Sequence, residues 1–262
     1  MGLHKNRVVI KVGTSTLTYK TGHLNIRRIE NLVKVISDLK NSGVEIVLVT
    51  SGAIGVGVSK IGLSQKPTDI PTKQAAASIG QCELMYMYDM QFNKYNHVVS
   101  QVLLTRYTVE DEKSHTNATN TLNRLLELGV IPIINENDTV STDEIEFGDN
   151  DTLSAIVAGL VQAEKLIILS DIDGLYTANP QKDPDAKLIS EVREITDEII
   201  ALGGGAGSSL GTGGMQTKIR AASTCMAEGI DMVITDGNDP EAMYDIAEGT
   251  SVGTRFFGKA TK

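Results

Sequence analysis

The chain contains no tryptophan, only four phenylalanines and seven tyrosines among 262 residues, so any core must be built from aliphatic side chains. With 41% hydrophobic residues there is enough apolar material for one large α/β domain or two small ones. A basic excess is also missing: 24 Lys and Arg face 33 Asp and Glu, a formal net charge of -9. That balance argues against sequence-independent nucleic-acid binding, which needs basic patches. The two cysteines, Cys82 and Cys225, lie too far apart to form a metal-ligand spacing, and their helix-like contexts predict two buried thiols. His4, His23 and His97 have no partner in any motif, and His115 opens a helix-like stretch. No metal-ligand spacing, Ser–His–Asp set or Cys–His pair is present. No long apolar region follows the basic residues of Met1–Arg7. The expectation is a protein with no signal peptide and no membrane span, located in the cytoplasm, in which the sequons at Asn117, Asn137 and Asn150 have no role. Both standard nucleotide fingerprints, G-x-x-x-x-G-K-[ST] and a strand followed by G-x-G-x-x-G, are absent.

Two lysines in glycine-rich contexts stand out against these absences. Lys11 follows Val8-Val9-Ile10 and precedes Val12-Gly13-Thr14-Ser15; Lys218 closes Gly211-Thr212-Gly213-Gly214-Met215-Gln216-Thr217 just before a helix-like segment. Glycines let backbone N–H groups approach an anion, and a lysine adds a mobile positive charge. Two such devices suit a polyphosphate held at both ends, as phosphoryl transfer requires. The plainer alternatives are a surface lysine at a strand end and a solvated lysine in a first helical turn. A cation near a helix N-terminus is locally unfavourable, and a bound anion would account for it.

Short aliphatic runs (Val8–Val12, Ile46–Val49, Val98–Leu104, Val130–Ile134, Leu166–Leu169 and Met232–Ile234) alternate with helical patterns. The runs are too apolar for half-exposed strands and predict parallel strands covered on both faces, with Pro132 counting against full pairing of its strand. Helices are expected over Ile26–Leu39, Lys73–Tyr95, Lys113–Leu128, Asp151–Val161 and Met215–Glu228. The alternation predicts an α/β chain, a three-layer α/β/α sandwich with a mainly parallel central sheet, formed by residues 1–262 as a single domain without repeats. Gly203–Gly214 reads as a flexible loop at the active site. In such sheets ligands bind beyond the carboxyl ends of strands. Lys11–Ser15, Thr50–Ala53, Asn135–Asp138 and Ser170–Gly174 all fall there, so four polar clusters would converge.

Asp149-Asn150-Asp151 precedes an apolar helix. It reads either as a simple N-cap or as a cap followed by Asp151 aimed at both lysines, which would fix their orientation. Asp171-Ile172-Asp173 admits a rival, the aspartate nucleophile of phosphatases of the haloacid dehalogenase type, although those motifs usually carry Thr or Val where Leu175 stands. A turn built on the two aspartates and Gly174 is the bland alternative. Gly174–Thr177 and Asn179-Pro180 resemble a loop beside a base or ribose. Mg²⁺ is expected only as a nucleotide's companion, held largely through phosphates, with no protein-borne metal site.

Taken together these stretches resemble the amino acid kinase family, and within it the branch that phosphorylates the γ-carboxylate of L-glutamate with ATP, the first step of proline biosynthesis. The resemblance rests on Ile10–Ser15, Val49–Ile54, Ile134–Asp138, Phe147–Asp151, Ser170–Tyr176 and Gly211–Lys218, and so runs along nearly the whole chain. It implies that Lys11 and Lys218 contact the ATP phosphates, that Asp151 orients both, and that Ser51, Asp138 and Asn150 hold glutamate. It also implies that Ser170, Asp171 and the loop Thr212, Gly213, Gly214, Met215, Gln216, Thr217 and Lys218 bind nucleotide. L-Proline is expected as feedback inhibitor, with Thr105–Thr121 as a mobile wall over that end of the site, and a homo-oligomer, dimer or tetramer, is expected. Many bacterial members carry a C-terminal PUA domain; here the sequence stops just after Gly253–Phe256, so neither that module nor RNA binding is expected. A kinase for another small acid, or a catalytically weak sensing subunit, are the alternatives.

Overall fold

The computed structural model describes residues 6–63, 65, 67–141, 150–204 and 214–258. Its strands are β1 (Arg7–Val12), β2 (Glu45–Val49), β3 (Val99–Leu104), β4 (Ile131–Glu136), β5 (Lys165–Ser170), β6 (Leu175–Tyr176), β7 (Leu188–Ile189), β8 (Glu191–Val192), β9 (Asp231–Asp236) and β10 (Thr254–Phe256). The helices are α1 (Thr14–Leu17), α2 (Ile26–Asn41), α3 (Ala53–Lys60), α4 (Ile70–Asn93), α5 (Arg106–Glu110), α6 (Glu112–Glu127), α7 (Asn150–Leu160), α8 (Asp197–Leu202), α9 (Met215–Ala227) and α10 (Ala242–Ala247). An eight-stranded sheet runs in the order β3-β4-β2-β1-β5-β9-β10-β8; its one antiparallel pair is β9 with β10, and β6 and β7 form a separate antiparallel ribbon.

Strand alternation divides the core in two. Val8, Ile10 and Val12 pack with Ile46, Leu48 and Ile167 against α2, α3, α4 and α10, whereas Val9 joins Val47, Leu166 and Ile168 against α6, α7 and α9. A period of two cannot be satisfied by one covered face, so runs that are apolar at every position need helices on both sides. Lys11 shares the face of Val9 and therefore points toward α7 and α9 (see below). The expected sandwich and its parallel sheet are present.

Three expectations need correction: the cover of β3, the burial of Cys82 and the start of α4. β3 is an edge strand rather than a covered one: Gln101 is exposed, and Val98 just before it is 64% exposed. Its apolar composition marked a strand but could not tell which side lacks a neighbour. Cys82 is exposed, and only Cys225 is buried, its thiol pushed up to about 12 by burial and then by Glu228. α4 buries Ala77, Gly80, Gln81 and Leu84, a stripe that leaves Cys82 on the other side. Thr105–Thr121 is mostly helix, with α5 opened by a Thr105–Thr108 capping box and α6 capped by Asp111. α4 begins at Ile70 rather than Lys73, because the Asp69 side chain caps Thr72 N–H and Pro71 is tolerated in the first turn. Pro132 does limit pairing: β4 meets β2 only from Ile133 on. Most of Gly203–Gly214 lies outside the described residues.

The pair α3–α4 sets the position of the turn after β2. Gly57 and Gly80 bring the two backbones together; a Cβ at Gly57 would strike the Ala76 carbonyl, and one at Gly80 the Ala53 carbonyl. Gly80→Ala should therefore lower stability by about 1–3 kcal/mol through overpacking, read by urea denaturation. Gly55→Ala on the facing helix α3, where a new Cβ meets nothing within 4 Å, should be neutral or slightly stabilising. Equal stability of the two variants would contradict this close packing.

Candidate active site

β4, β2, β1 and β5 are consecutive neighbours in the sheet, so the polar segments after them gather at one end. Lys11 sits in β1, paired in register with Val49 and Ile168 on either side. Asp151 lies in the first turn of α7, where a carboxylate is favoured by the helix dipole. Lys218 lies in the first turn of α9. Lys11 Nζ is 2.6 Å from Asp151 Oδ1, and Lys218 Nζ is 3.1 Å from Asp151 Oδ2. All three are buried, at 8%, 1% and 5% exposure for Lys11, Asp151 and Lys218. Thr217 Oγ1 lies 2.8 Å from Asp151 Oδ2 and 2.7 Å from the Gly214 carbonyl, so its single hydrogen serves one of them at a time. Burial by itself would raise the Asp151 carboxyl. The charges of Lys11 and Lys218, with hydrogen bonds from Lys11 and Thr217, outweigh it and hold that carboxyl well below the usual carboxylate range.

The helix starts fall into two kinds. α2, α4, α5, α6 and α8 are capped by the side chains of Asn25, Asp69, Thr105, Asp111 and Thr196. α10 begins at Glu241, and α1, α3 and α9 at Gly13, Gly52 and Gly214, all four with no side-chain cap and the last three on glycine. These three bare starts lie together: Thr14 Oγ1 donates to Ser51 Oγ at 3.3 Å, and Lys218 meets Lys11 through Asp151. Their N–H groups are the unsatisfied donors that an anion would meet. Gly52 has φ 93°, which favours glycine, and a Cβ there would touch the Thr14 side chain at 3.3 Å.

Ser51 Oγ donates to the Val12 carbonyl at 3.0 Å, which ties the β2 turn to the end of β1. Asn150 Nδ2 donates to the Thr50 carbonyl at 2.7 Å and to Asn135 Oδ1 at 2.9 Å, which ties α7 to β2 and β4. Asp138 is buried three residues past Asn135. Ser170 ends β5, its Oγ donating to Asp171 Oδ1 at 3.2 Å, and Asp171 itself is exposed. Met215 packs against the core and Gln216 is exposed; Asp149, Thr212 and Gly213 lie outside the described residues. Direct contacts thus join Lys11, Asp151, Thr217 and Lys218, and a second set joins Thr50, Asn135 and Asn150. Among the described residues no contact joins Ser170 or Asp171 to the lysines, and Tyr176 Oη donates to Asp173 Oδ2 at 3.0 Å. A cavity of about 250 Å³ beside Val8, Ile46, Ile167 and Met243 lies at the opposite end of the strands.

Motif reading overlooked Gln81. Its Oε1 accepts from Asn135 Nδ2 at 2.9 Å, and it is buried. The sequence did carry a sign of it: Ala77, Gly80, Gln81 and Leu84 belong to the buried stripe of α4, in which Gln81 and Gln91 are buried amides.

Residues 6–236 match the model of the amino acid kinase family. A glutamate 5-kinase of Clostridium perfringens is 55% identical, the alignment covering 97% of this chain and 96% of that one. A glutamate 5-kinase of Listeria innocua is 56% identical over 98% and 94% of the two chains. Among solved structures, a UMP kinase from Bacillus anthracis superposes with TM-score 0.67 at 18% identity, covering 97% of each chain. An isopentenyl phosphate kinase from T. acidophilum gives 0.61 at 19%, over 95% and 99% of the chains. These two share the fold. The chain belongs to the amino acid kinase family, in the branch of the glutamate 5-kinases.

Proposed function

We infer that this enzyme transfers the γ-phosphoryl group of ATP to the γ-carboxylate of L-glutamate, giving L-glutamyl 5-phosphate, the first step of proline biosynthesis. The identity to curated glutamate 5-kinases supports the substrate, and the ion triad of Lys11, Asp151 and Lys218 is the observation that carries the chemistry. A γ-carboxylate oxygen attacks the γ-phosphorus in line, the bond to the β,γ-bridging oxygen breaks, and ADP leaves. No general base is needed, since the acceptor is ionised at neutral pH. Lys11 and Lys218 stabilise the charge on the transferred group, Asp151 orients both, and the bare N-termini of α1 and α9 donate to phosphate oxygens. Ser170, Asp171 and Thr212–Lys218 serve the nucleotide; Ser51, Asp138 and Asn150 serve glutamate, with the uncapped start of α3 available to its α-carboxylate.

Among the described residues no three His, Cys, Asp or Glu side chains gather as a metal-holding group. A Mg²⁺ accompanying ATP would be held chiefly by phosphate oxygens on this reading, and it would neutralise charge there. No helix among the described residues is long and apolar enough to cross a membrane, which suits the proposed cytoplasmic location. A homo-oligomer is supported by the outward side of α4, where Ile79, Tyr86 and Met90 are exposed. Residues 1–262 act as one kinase domain on this reading, and with net charge -9 no RNA partner is proposed.

Replacing Lys218 or Lys11 by Ala should lower kcat about 10²–10³-fold with a smaller rise in KM for glutamate. Near-normal turnover by Lys218→Ala, measured as ADP release, would refute the assignment.

Asp151→Asn leaves two ammonium groups buried side by side, so at neutral pH it should lose about 3–5 kcal/mol of stability. The sign with pH follows from the depressed carboxyl. Its contribution is complete above the ordinary value of about 3.9 and fades as pH falls through the lower folded value. Urea midpoints of parent and variant should therefore converge only below about pH 4; a constant gap would contradict the linkage.

L-Proline shares the α-amino acid end of glutamate and lacks the γ-carboxylate. It should raise the apparent KM for glutamate and leave that for ATP unchanged. Asp138→Ala should weaken both ligands about tenfold or more. Proline-independent kinetics would exclude competition at this site.

A further inference from the structure

The proposed glutamate subsite contains an amide whose polarity is set from outside. Asn150 donates through Nδ2 to the Thr50 carbonyl, which can only accept, so the amide nitrogen is fixed there and the oxygen faces away. That Oδ1 is buried and has no hydrogen-bond partner among the described residues. Asn135 is fixed by the same logic. Its Oδ1 accepts from the Glu136 N–H at 2.9 Å, which can only donate, and also from Asn150 Nδ2. Asn135 Nδ2 must then find an acceptor, and that acceptor is Gln81 Oε1 at 2.9 Å. Gln81 Nε2 donates onward to Gln101 Oε1 at 3.1 Å on the exposed edge strand. One relay of amides runs from β3 through α4 and β4 to the first residue of α7.

A buried acceptor without a partner is destabilising, and a ligand donor relieves it. Both carboxylates of glutamate are ionised at neutral pH and only accept; its single donor is the α-ammonium. An acceptor-only Asn150 oxygen therefore reads that group, whereas a flipped amide would present N–H and favour a carboxylate. We propose that Gln81 is a positioning residue that, through Asn135, holds the Asn150 oxygen toward the substrate and so sets the enzyme's demand for an α-ammonium group. The proposal rests on the reading of this site as the glutamate subsite. Without the Gln81 acceptor, Asn135 Nδ2 is a buried donor with no partner, a cost the side chain relieves by shifting out of its place. Asn150 Nδ2 then loses its second acceptor, and the Thr50 carbonyl alone holds the Asn150 amide and the direction of its oxygen.

The test compares L-glutamate with glutarate, which keeps both carboxylates and lacks the ammonium, in steady-state kinetics of the full chain. Gln81→Met, similar in size and without a strong acceptor, should raise KM for glutamate about tenfold while kcat and KM for ATP stay within about twofold. The ratio of kcat/KM for glutamate over glutarate should shrink by a similar factor. Gln81→Glu retains an acceptor for Asn135 Nδ2 and should keep most of the preference. An unchanged ratio in folded Gln81→Met, equal losses for both acids, or a matching rise in KM for ATP would overturn the proposal. Should Gln81→Met fail to fold, Gln101→Leu cuts the outer end of the relay, and a ratio identical to the parent's would be equally fatal. Lack of glutamate turnover by the parent protein would instead sink the subsite reading itself.

Discussion

The arrangement of the site depends on one buried carboxylate. Lys11 and Lys218 come from opposite ends of the chain and would repel each other if brought together alone; Asp151 accepts one on each oxygen. In a dry setting such a pair of contacts is strong, and much of it is offset by the cost of taking three charges out of water. Stability is therefore a weak reason for keeping the triad. What it does supply is position: two ammonium groups held at fixed points, with one positive charge left over, in a chain whose overall balance is strongly acidic. A preorganised cationic centre of this kind needs no rearrangement as negative charge shifts across a transferring phosphoryl group.

The helix starts repeat the same separation of stability from function. At α2, α4, α5, α6 and α8, Asn, Asp or Thr satisfies the first N–H groups, worth about 0.5–2 kcal/mol apiece. At α1, α3 and α9 that stabilisation is forgone in favour of glycine. An anion can approach such a start closely because no Cβ or capping oxygen stands in the way. The uncapped starts are thus the places where local stability is lower than the sequence could have made it, which is where binding is expected to repay the difference.

Much of this was legible in the sequence because strand ends in a doubly covered parallel sheet are predictable places. Apolar runs gave β1, β2, β4, β5 and β9 within a few residues, and the polar clusters after four of them lie side by side. The edge position of β3 was not legible, because pairing on one side or two leaves composition unchanged. Nor was the exposure of Cys82, which depends on which stripe of a nearly all-round apolar helix meets the sheet. The antiparallel return of β10 beside β9 has too few residues to show a period. Gln81 escaped because its role is tertiary: nothing within α4 indicates that β4 presents an amide donor opposite it.

Strand order also explains why one catalytic centre can serve two substrates. On the proposed assignment the glutamate side is built on β2 and β4, and the nucleotide side on β5 and the start of α9. β1 lies between β2 and β5, hydrogen-bonded to both along its length. A lysine on that central strand has a backbone fixed from two sides and a face turned toward α7 and α9, so its ammonium reaches the boundary between the two halves. A lysine on a loop could reach the same point, but with less positional certainty, and misplacement of about 1 Å can cost roughly 10²-fold in rate. The order β4-β2-β1-β5 therefore does more than hold the core together. It sets acceptor and donor on opposite sides of Lys11, so that the transferred group crosses where the triad is anchored.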